Sequence, residues 1–154
     1  MNVLAVLAGA GIGLPAMEAA AWASHRWIMH GPLWILHRGH HAPDRGGWEA
    51  NDLFGIFFSA VSIACIVFGS AGRPFLLGLG IGMAGYGAAY LGFHDLLVHG
   101  RFGKMAMPRN AYIRRLARAH LLHHARTTRE GCGHFGFLWA PPAKRSPLPQ
   151  NPPL

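Results

Sequence analysis

The sequence is poor in charge, in cysteine and above all in acids. Charged residues make up 13% of its 154 positions, against roughly 25% in ordinary soluble domains, which argues against a free soluble enzyme. The two cysteines, Cys65 and Cys132, lie in unrelated surroundings. They exclude a disulfide scaffold and a cysteine-based zinc or iron–sulfur site. Asp and Glu together number 6, too few for the carboxylate-bridged metal pairs built in helical bundles. No flavin or nicotinamide motif is evident. The run Gly80-Ile81-Gly82-Met83-Ala84-Gly85 fits GxGxxG, but no strand pattern precedes it and no acid follows at the required distance. It lies in an uncharged stretch with Gly78 and Gly82 four apart, a pattern of close helix packing in lipid.

What the chain has instead is hydrophobic length. Hydrophobic residues make up 51%. Leu53–Gly72 and Pro74–Phe93 carry no charge, and Met1–Ala23 carries only Glu18. About twenty apolar residues in a helix cross a bilayer core, so three spans are expected. Ala21-Trp22-Ala23 resembles a signal-peptide cleavage site, but no Lys or Arg opens that run, and Pro15 and Glu18 interrupt it. It is read as a span. The length allows one domain, over residues 1–140, followed by a Pro-rich tail over 141–154 that reads as disordered.

Charge is lopsided. Lys and Arg number 14, and the net charge is +8 with His neutral. Eight of these cations lie between Arg101 and Arg129. Basic residues concentrated in one part of an apolar chain suit a membrane protein with a cationic side rather than a nucleic-acid binder. The positive-inside rule places residues 25–52 and 94–154 in the cytoplasm, with the Ala71-Gly72-Arg73 turn outside. Trp22, Trp27, Trp34 and Trp48 fall where an interfacial belt would lie. The absence of a transit-peptide composition favours a bacterial inner membrane.

Histidine is the other excess, with 11 residues. None lies within the second or third uncharged run, and ten form a repeat. His25-Arg-Trp-Ile-Met-His30-Gly matches His94-Asp-Leu-Leu-Val-His99-Gly, and His37-Arg-Gly-His40-His41-Ala matches His120-Leu-Leu-His123-His124-Ala. Each half reads HxxxxHG and then HxxHHA. Two matching sets of five suggest two metal ions, without requiring that each half own one. In a helix, positions i, i+3 and i+4 share a face, so His37, His40 and His41 are expected to point together, as are His120, His123 and His124. Around the second set, Ile113, Leu116 and Ala117 continue the histidine stripe while Arg114, Arg115 and Arg118 fall opposite. HxxxxH fits less well, because i and i+5 stand ~140° apart on a regular helix. Either the two reach different ions, or the second lies past a helix end marked by Gly31 or Gly100.

Imidazole suits zinc, copper, iron and nickel. About five His per ion exceeds the four ligands of structural zinc and leaves an open position of the kind dioxygen activation needs. Without a flavin or nicotinamide site, such an oxygenase takes electrons from outside, and a basic face suits an acidic carrier. His134 lies outside the repeat and is read as a non-ligand. Asp95, Glu49 and Asp52 lie near the histidines as candidate second-tier acceptors, with capping or interfacial roles as the alternative. Tyr86 and Tyr90 are candidates to line a substrate approach or simply to pack.

The order HxxxxH, HxxHH, HxxxxH, HxxHH resembles the bacterial β-carotene hydroxylases, of the fatty-acid hydroxylase superfamily of membrane di-iron enzymes. The resemblance covers residues 18–142. It includes His40-His41-Ala-Pro43, the His94-Asp95 segment and Phe135-Gly136-Phe137-Leu138-Trp139-Ala140-Pro141. It implies an all-α integral membrane bundle with about three transmembrane helices and a cytoplasmic His-rich helical cap. It implies hydroxylation of the β-ionone rings of β-carotene at C3, giving cryptoxanthin and then zeaxanthin, with two non-haem irons, O2 and electrons from ferredoxin or a similar reductase. By this resemblance His25, His30, His37, His40, His41, His94, His99, His120, His123 and His124 are the iron ligands. The runner-up readings are a carotenoid ketolase, a fatty-acid or sterol hydroxylase, and a non-enzymatic membrane protein binding metal or haem.

Overall fold

The computed structural model describes residues 2–42 and 47–140; the proline-rich tail and Pro43 lie outside them. Among the described residues there is no strand. Helix α1 runs Val3–Ala23 and continues as a π-helical segment, Ser24–Met29; α2 is the short Trp34–His37. Helix α3 is Asp52–Ser70, and α4 is Pro74–Tyr90, continuing as a π-helical segment, Leu91–Val98. Helix α5 is Ala111–His124. The three apolar helices are long enough to cross a membrane, at Val3–Met29, Asp52–Ser70 and Pro74–Val98. α1 and α4 extend past their apolar runs at the histidine end, because each π segment carries the helix through the first His of its block.

The chain forms two compact units. Among the described residues, one comprises residues 2–20 and 52–89, the other residues 21–42, 47–51 and 90–140. In the first, side chains are sorted in reverse of a soluble helix. The buried positions of α3 are Ser62 and Gly69, whereas Phe57, Ile63, Val67 and Phe68 are each more than half exposed. Large apolar groups outward and small groups inward is the arrangement lipid favours, since packing in a bilayer rests on close approach rather than on expelling water. The protein is accordingly membrane-associated.

The glycines show how close that approach is. A Cβ at Gly9 would collide with the Phe75 carbonyl, and one at Gly78 with the Val6 carbonyl. A Cβ at Gly13 would collide with the Leu79 carbonyl, and one at Gly82 with the Ala10 carbonyl. Each contact maps onto its partner by an offset of 69 residues, so α1 and α4 pack as a pseudo-twofold pair. The same offset relates His25 to His94 and His30 to His99. The histidine repeat is therefore the visible end of a longer one. On α1, buried Gly9, Gly13, Met17, Ala21 and His25 recur every fourth residue; buried Gly78, Gly82, Tyr86 and His94, with half-buried Tyr90 between the last two, keep the same spacing along α4 and its continuation. The Gly80 approach to α3 is also tight, with Ser62 Oγ donating to the Gly80 carbonyl at 2.8 Å. The GxGxxG run is packing, as its context implied.

Candidate metal centre

The π segments resolve the HxxxxH spacing. The His30 N–H donates to the His25 carbonyl at 3.0 Å, and the His99 N–H donates to the His94 carbonyl at 2.9 Å. These are i+5 to i bonds, the signature of a π turn, and they bring the fifth residue over the first. The regular-helix geometry expected from sequence does not hold here, and both His of each pair enter the same group. Gly31 and Gly100 do follow the ends of these turns. Gly100 adopts φ +61°, and a Cβ on Gly31 would collide with the Trp27 carbonyl.

The HxxHH blocks differ from expectation in two ways. In the first half the helix stops at His37, and His40 and His41 sit in tight turns, their N–H groups donating to the His37 and Arg38 carbonyls. In the second half all three lie in the last turn of α5, whose first turn is capped by Asn110 Oδ1 accepting from the N–H of Tyr112 and Ile113. The carbonyl end of a helix favours positive charge, which suits a cation site there. Second, the three histidines of a block do not converge on one point. His25, His30, His37, His41 and His123 form one group of possible ligand atoms; His40, His94, His99, His120 and His124 form another, each with its ligand atoms within 4.8 Å of one another. The middle His of each HxxHH crosses to the other half's group.

Nearly all of these imidazoles are buried. His25, His41, His94 and His123 are among the most enclosed side chains in the protein. Burial, the first cause in every case, opposes the charged form: it lowers His37 to about 3 and His41 to about 4, and pushes His30, His40, His120, His123 and His124 below the usual histidine value. Neighbouring histidines reinforce the shift at all of these except His30.

Hydrogen bonds fix the tautomers. Backbone carbonyls only accept, so the imidazole Nδ1 that meets one must carry the proton. His25 Nδ1 donates to the Phe135 carbonyl at 2.9 Å and His30 Nδ1 to that of Arg129 at 3.1 Å. His41 Nδ1 donates to the Arg126 carbonyl and His123 Nδ1 to that of Gly133, both at 2.8 Å. Their Nε2 atoms are then bare lone pairs. Yet His30 Nε2 stands 3.1 Å from His123 Nε2, and His123 Nε2 stands 3.2 Å from His41 Nε2. Two neutral lone pairs at that distance repel; a shared cation removes the repulsion. Ligand nitrogens ~2.1 Å from one ion and at right angles would themselves be about 3 Å apart. In the second group His40 Nε2 meets His94 Nε2 at 3.1 Å and His99 Nε2 meets His120 Nε2 at 3.0 Å, while His124 Nε2 is buried with no hydrogen-bonding partner. The donor set therefore fits a metal ion in each group.

Around the nitrogens lies an aromatic wall. Phe137 stacks on His25 with ring centres 5.4 Å apart, and it also touches His94 and His120, so it borders both groups. Tyr90 stacks on His94 at 4.4 Å. Tyr86, by contrast, is buried in the first unit and donates to Glu18 Oε2 at 2.8 Å.

This arrangement has relatives. The family profile for fatty acid hydroxylases matches residues 10–140. The chain belongs to the fatty acid hydroxylase family. Among curated members it is 46% identical over 129 residues to a β-carotene hydroxylase of Pantoea ananas, covering 84% of this chain and 74% of the relative. It is 49% identical over 125 residues to one from Pseudescherichia vulneris, covering 81% and 71%. A chloroplastic β-carotene 3-hydroxylase of Arabidopsis thaliana is 37% identical over 127 residues, 80% of this chain and 41% of that one. No solved structure matches significantly.

Among the residues singled out beside the histidines, Asp95 accepts from His94 Nδ1 at 2.6 Å, and Glu49 Oε2 accepts from His40 Nδ1 at 3.1 Å. Asp52 stands in the first turn of α3, where a negative charge suits the helix dipole. His134 joins neither histidine group; it lines a surface pocket with Trp22, Arg26, Cys132 and Phe135, in a left-handed conformation at φ 62°. Asn51, not singled out by residue type, also holds a histidine, its Oδ1 accepting from His37 Nδ1 at 2.7 Å. The other four holders of Nδ1 atoms in that group are backbone carbonyls, which no residue-type pattern can flag.

Proposed function

We propose that this hydroxylase inserts oxygen at C3 of the β-ionone rings of β-carotene, giving cryptoxanthin and then zeaxanthin, with two iron ions held by the ten histidines. The carrying observation is the pair of five-imidazole groups whose lone pairs face one another, in a chain whose bacterial relatives are named β-carotene hydroxylases. His25, His30, His37, His41 and His123 would hold one ion, and His40, His94, His99, His120 and His124 the other. Iron in such a nitrogen set supplies dioxygen activation. The overall balance is one C–H, one O2, two electrons and two protons to one C–OH and one water.

The chain's own residues do the rest. The carbonyls of Phe135, Arg129, Arg126 and Gly133 hold four imidazoles in one tautomer, so their Nε2 atoms stay available as ligands. Asn51, Glu49 and Asp95 orient three more. Burial keeps the histidines outside the spans uncharged and hence competent to bind metal at neutral pH. Phe135, Phe137 and Tyr90 exclude water from the nitrogens and offer an apolar face to a hydrocarbon ring.

Electrons would come from a ferredoxin or a similar reductase system; the clustered Arg residues suit an acidic donor. The protein sits in a bacterial inner membrane with its histidines on the cytoplasmic side, as the positive-inside rule reads it. Residues 1–140 are then the catalytic body.

Pigment analysis tests the reading. The chain is expressed in a bacterial host that accumulates β-carotene, and pigments are separated and weighed. Products carrying one and two added oxygens with an unchanged chromophore are expected, and His123→Ala abolishes them while the protein remains in the membrane. A red-shifted ketone would replace hydroxylation by ketolation. Unchanged β-carotene beside iron-loaded protein would move the substrate to a fatty acid or sterol, and beside iron-free protein it would overturn the enzyme reading.

A further inference from the structure

The two histidine groups are matched in ligands but not in charge. In the first, the Nδ1 atoms all meet neutral oxygens: four carbonyls and the Asn51 amide. In the second, two of them meet carboxylates, Glu49 behind His40 and Asp95 behind His94. Asp95 is buried, and the Arg101 guanidinium forms an ion pair with its other carboxylate oxygen at 3.6 Å. The pseudo-twofold sharpens the contrast. By the 69-residue offset, the position equivalent to Asp95 in the first half is Arg26, whose guanidinium lies over the Phe135 ring, itself packed edge-on against His25. One group thus has two carboxylates accepting from its imidazoles, with Arg101 beside one of them, and the other has neutral acceptors.

We infer that Glu49 and Asp95 make the two metal positions electronically unequal, so that the ion held with His40 and His94 keeps the higher oxidation state when the pair is half reduced. This rests on the reading of the groups as iron sites. A carboxylate behind a ligating imidazole makes it a stronger donor, and a negative charge in a low-dielectric interior favours the more positive ion. The first electron from an external one-electron donor then goes to the group containing His123, reducing one ferric ion to ferrous, and the second electron reduces the ion backed by Asp95. Glu49 and Asp95 act through the histidines and are positioning residues.

The test loads full-length protein in detergent with 57Fe and follows stepwise chemical reduction by Mössbauer spectroscopy, without substrate. The wild type should show two distinct iron signals, one becoming ferrous before the other. Their reduction equilibria should differ at least tenfold, about 59 mV for one electron. Asp95→Asn should narrow the gap by easing reduction of the second ion. Asn51→Asp, which places a carboxylate behind His37, should narrow it by hindering reduction of the first. A merely structural role would lose metal without moving the two signals in these opposite ways. Two wild-type irons reduced together at one potential would overturn the inference while leaving the iron reading intact, as would an unchanged gap in both variants. Wild-type protein that binds no iron would overturn both.

Discussion

His40 and His123 are exchanged between the two halves of the chain. His40 Nε2 stands 3.1 Å from His94 Nε2, and His123 Nε2 stands 3.1 Å from His30 Nε2. Each is the middle histidine of its HxxHH block, and each completes the group to which the other half supplies four members. Neither half can assemble five ligands alone, so the exchange ties the two HxxHH segments together through whatever ion they share.

Metal content should follow the exchange rather than the sequence order. His40→Ala with His94→Ala removes two members of one group and should cost one ion of two. His40→Ala with His41→Ala, adjacent in sequence, touches both groups and should cost both. Elemental analysis of the purified variants distinguishes these; equal losses in the two pairs would contradict the grouping.

Acid should destabilise the metal-free protein. The folded state holds His37 at about 3 and His41 at about 4, while the unfolded chain takes up protons near 6.5. Below 6.5 the unfolded state therefore binds more protons, and stability falls with pH down to the folded values. Thermal unfolding in detergent at pH 8, 6.5 and 5 should give a lower midpoint at pH 5. A higher midpoint there would show that these histidines are not held neutral.

The glycine contacts should be interchangeable across the pseudo-twofold. Gly9→Ala and Gly78→Ala each place a Cβ against a helix carbonyl, at Phe75 and Val6 respectively. Overpacking of this kind costs about 1–3 kcal/mol. Similar losses in both variants, read from thermal unfolding in detergent, are expected, and Gly11→Ala, with open space around it, should be near neutral by comparison.

Much of this was legible in the sequence because the signals were of residue type. Apolar runs gave the three long helices, and the HxxxxH and HxxHH repeat gave ten candidate ligands. The rest depends on backbone geometry. The i+5 spacing is awkward for an α-helix and becomes natural only when the backbone widens into a π turn, which nothing in His25–His30 announces. The exchange of His40 and His123 depends on how two HxxHH segments face each other. Four of the groups holding Nδ1 atoms are carbonyls, invisible to side-chain reasoning. Asn51 was overlooked beside the charged Glu49 and Asp52, although an amide orients an imidazole as well as a carboxylate does. The 69-residue repeat was open to view, but glycine carries it through the spans, and only the collisions at Gly9 and Gly78 reveal it.

Sidedness can be read directly. In a background with Cys65→Ala and Cys132→Ala, Ala71→Cys in the turn between α3 and α4 should react with an impermeant maleimide on intact cells. Lys104→Cys, exposed in the segment before α5, should react only after permeabilisation. The reverse pattern would turn the protein over in the membrane.

The most direct test of the whole account follows the oxygen atom. Purified protein loaded with iron is given β-carotene, an electron donor and 18O2 in ordinary water. The account predicts two irons per chain and hydroxylated rings carrying 18O, with no product from the metal-free protein. Hydroxyl oxygen drawn from water, or equal turnover without metal, would contradict it.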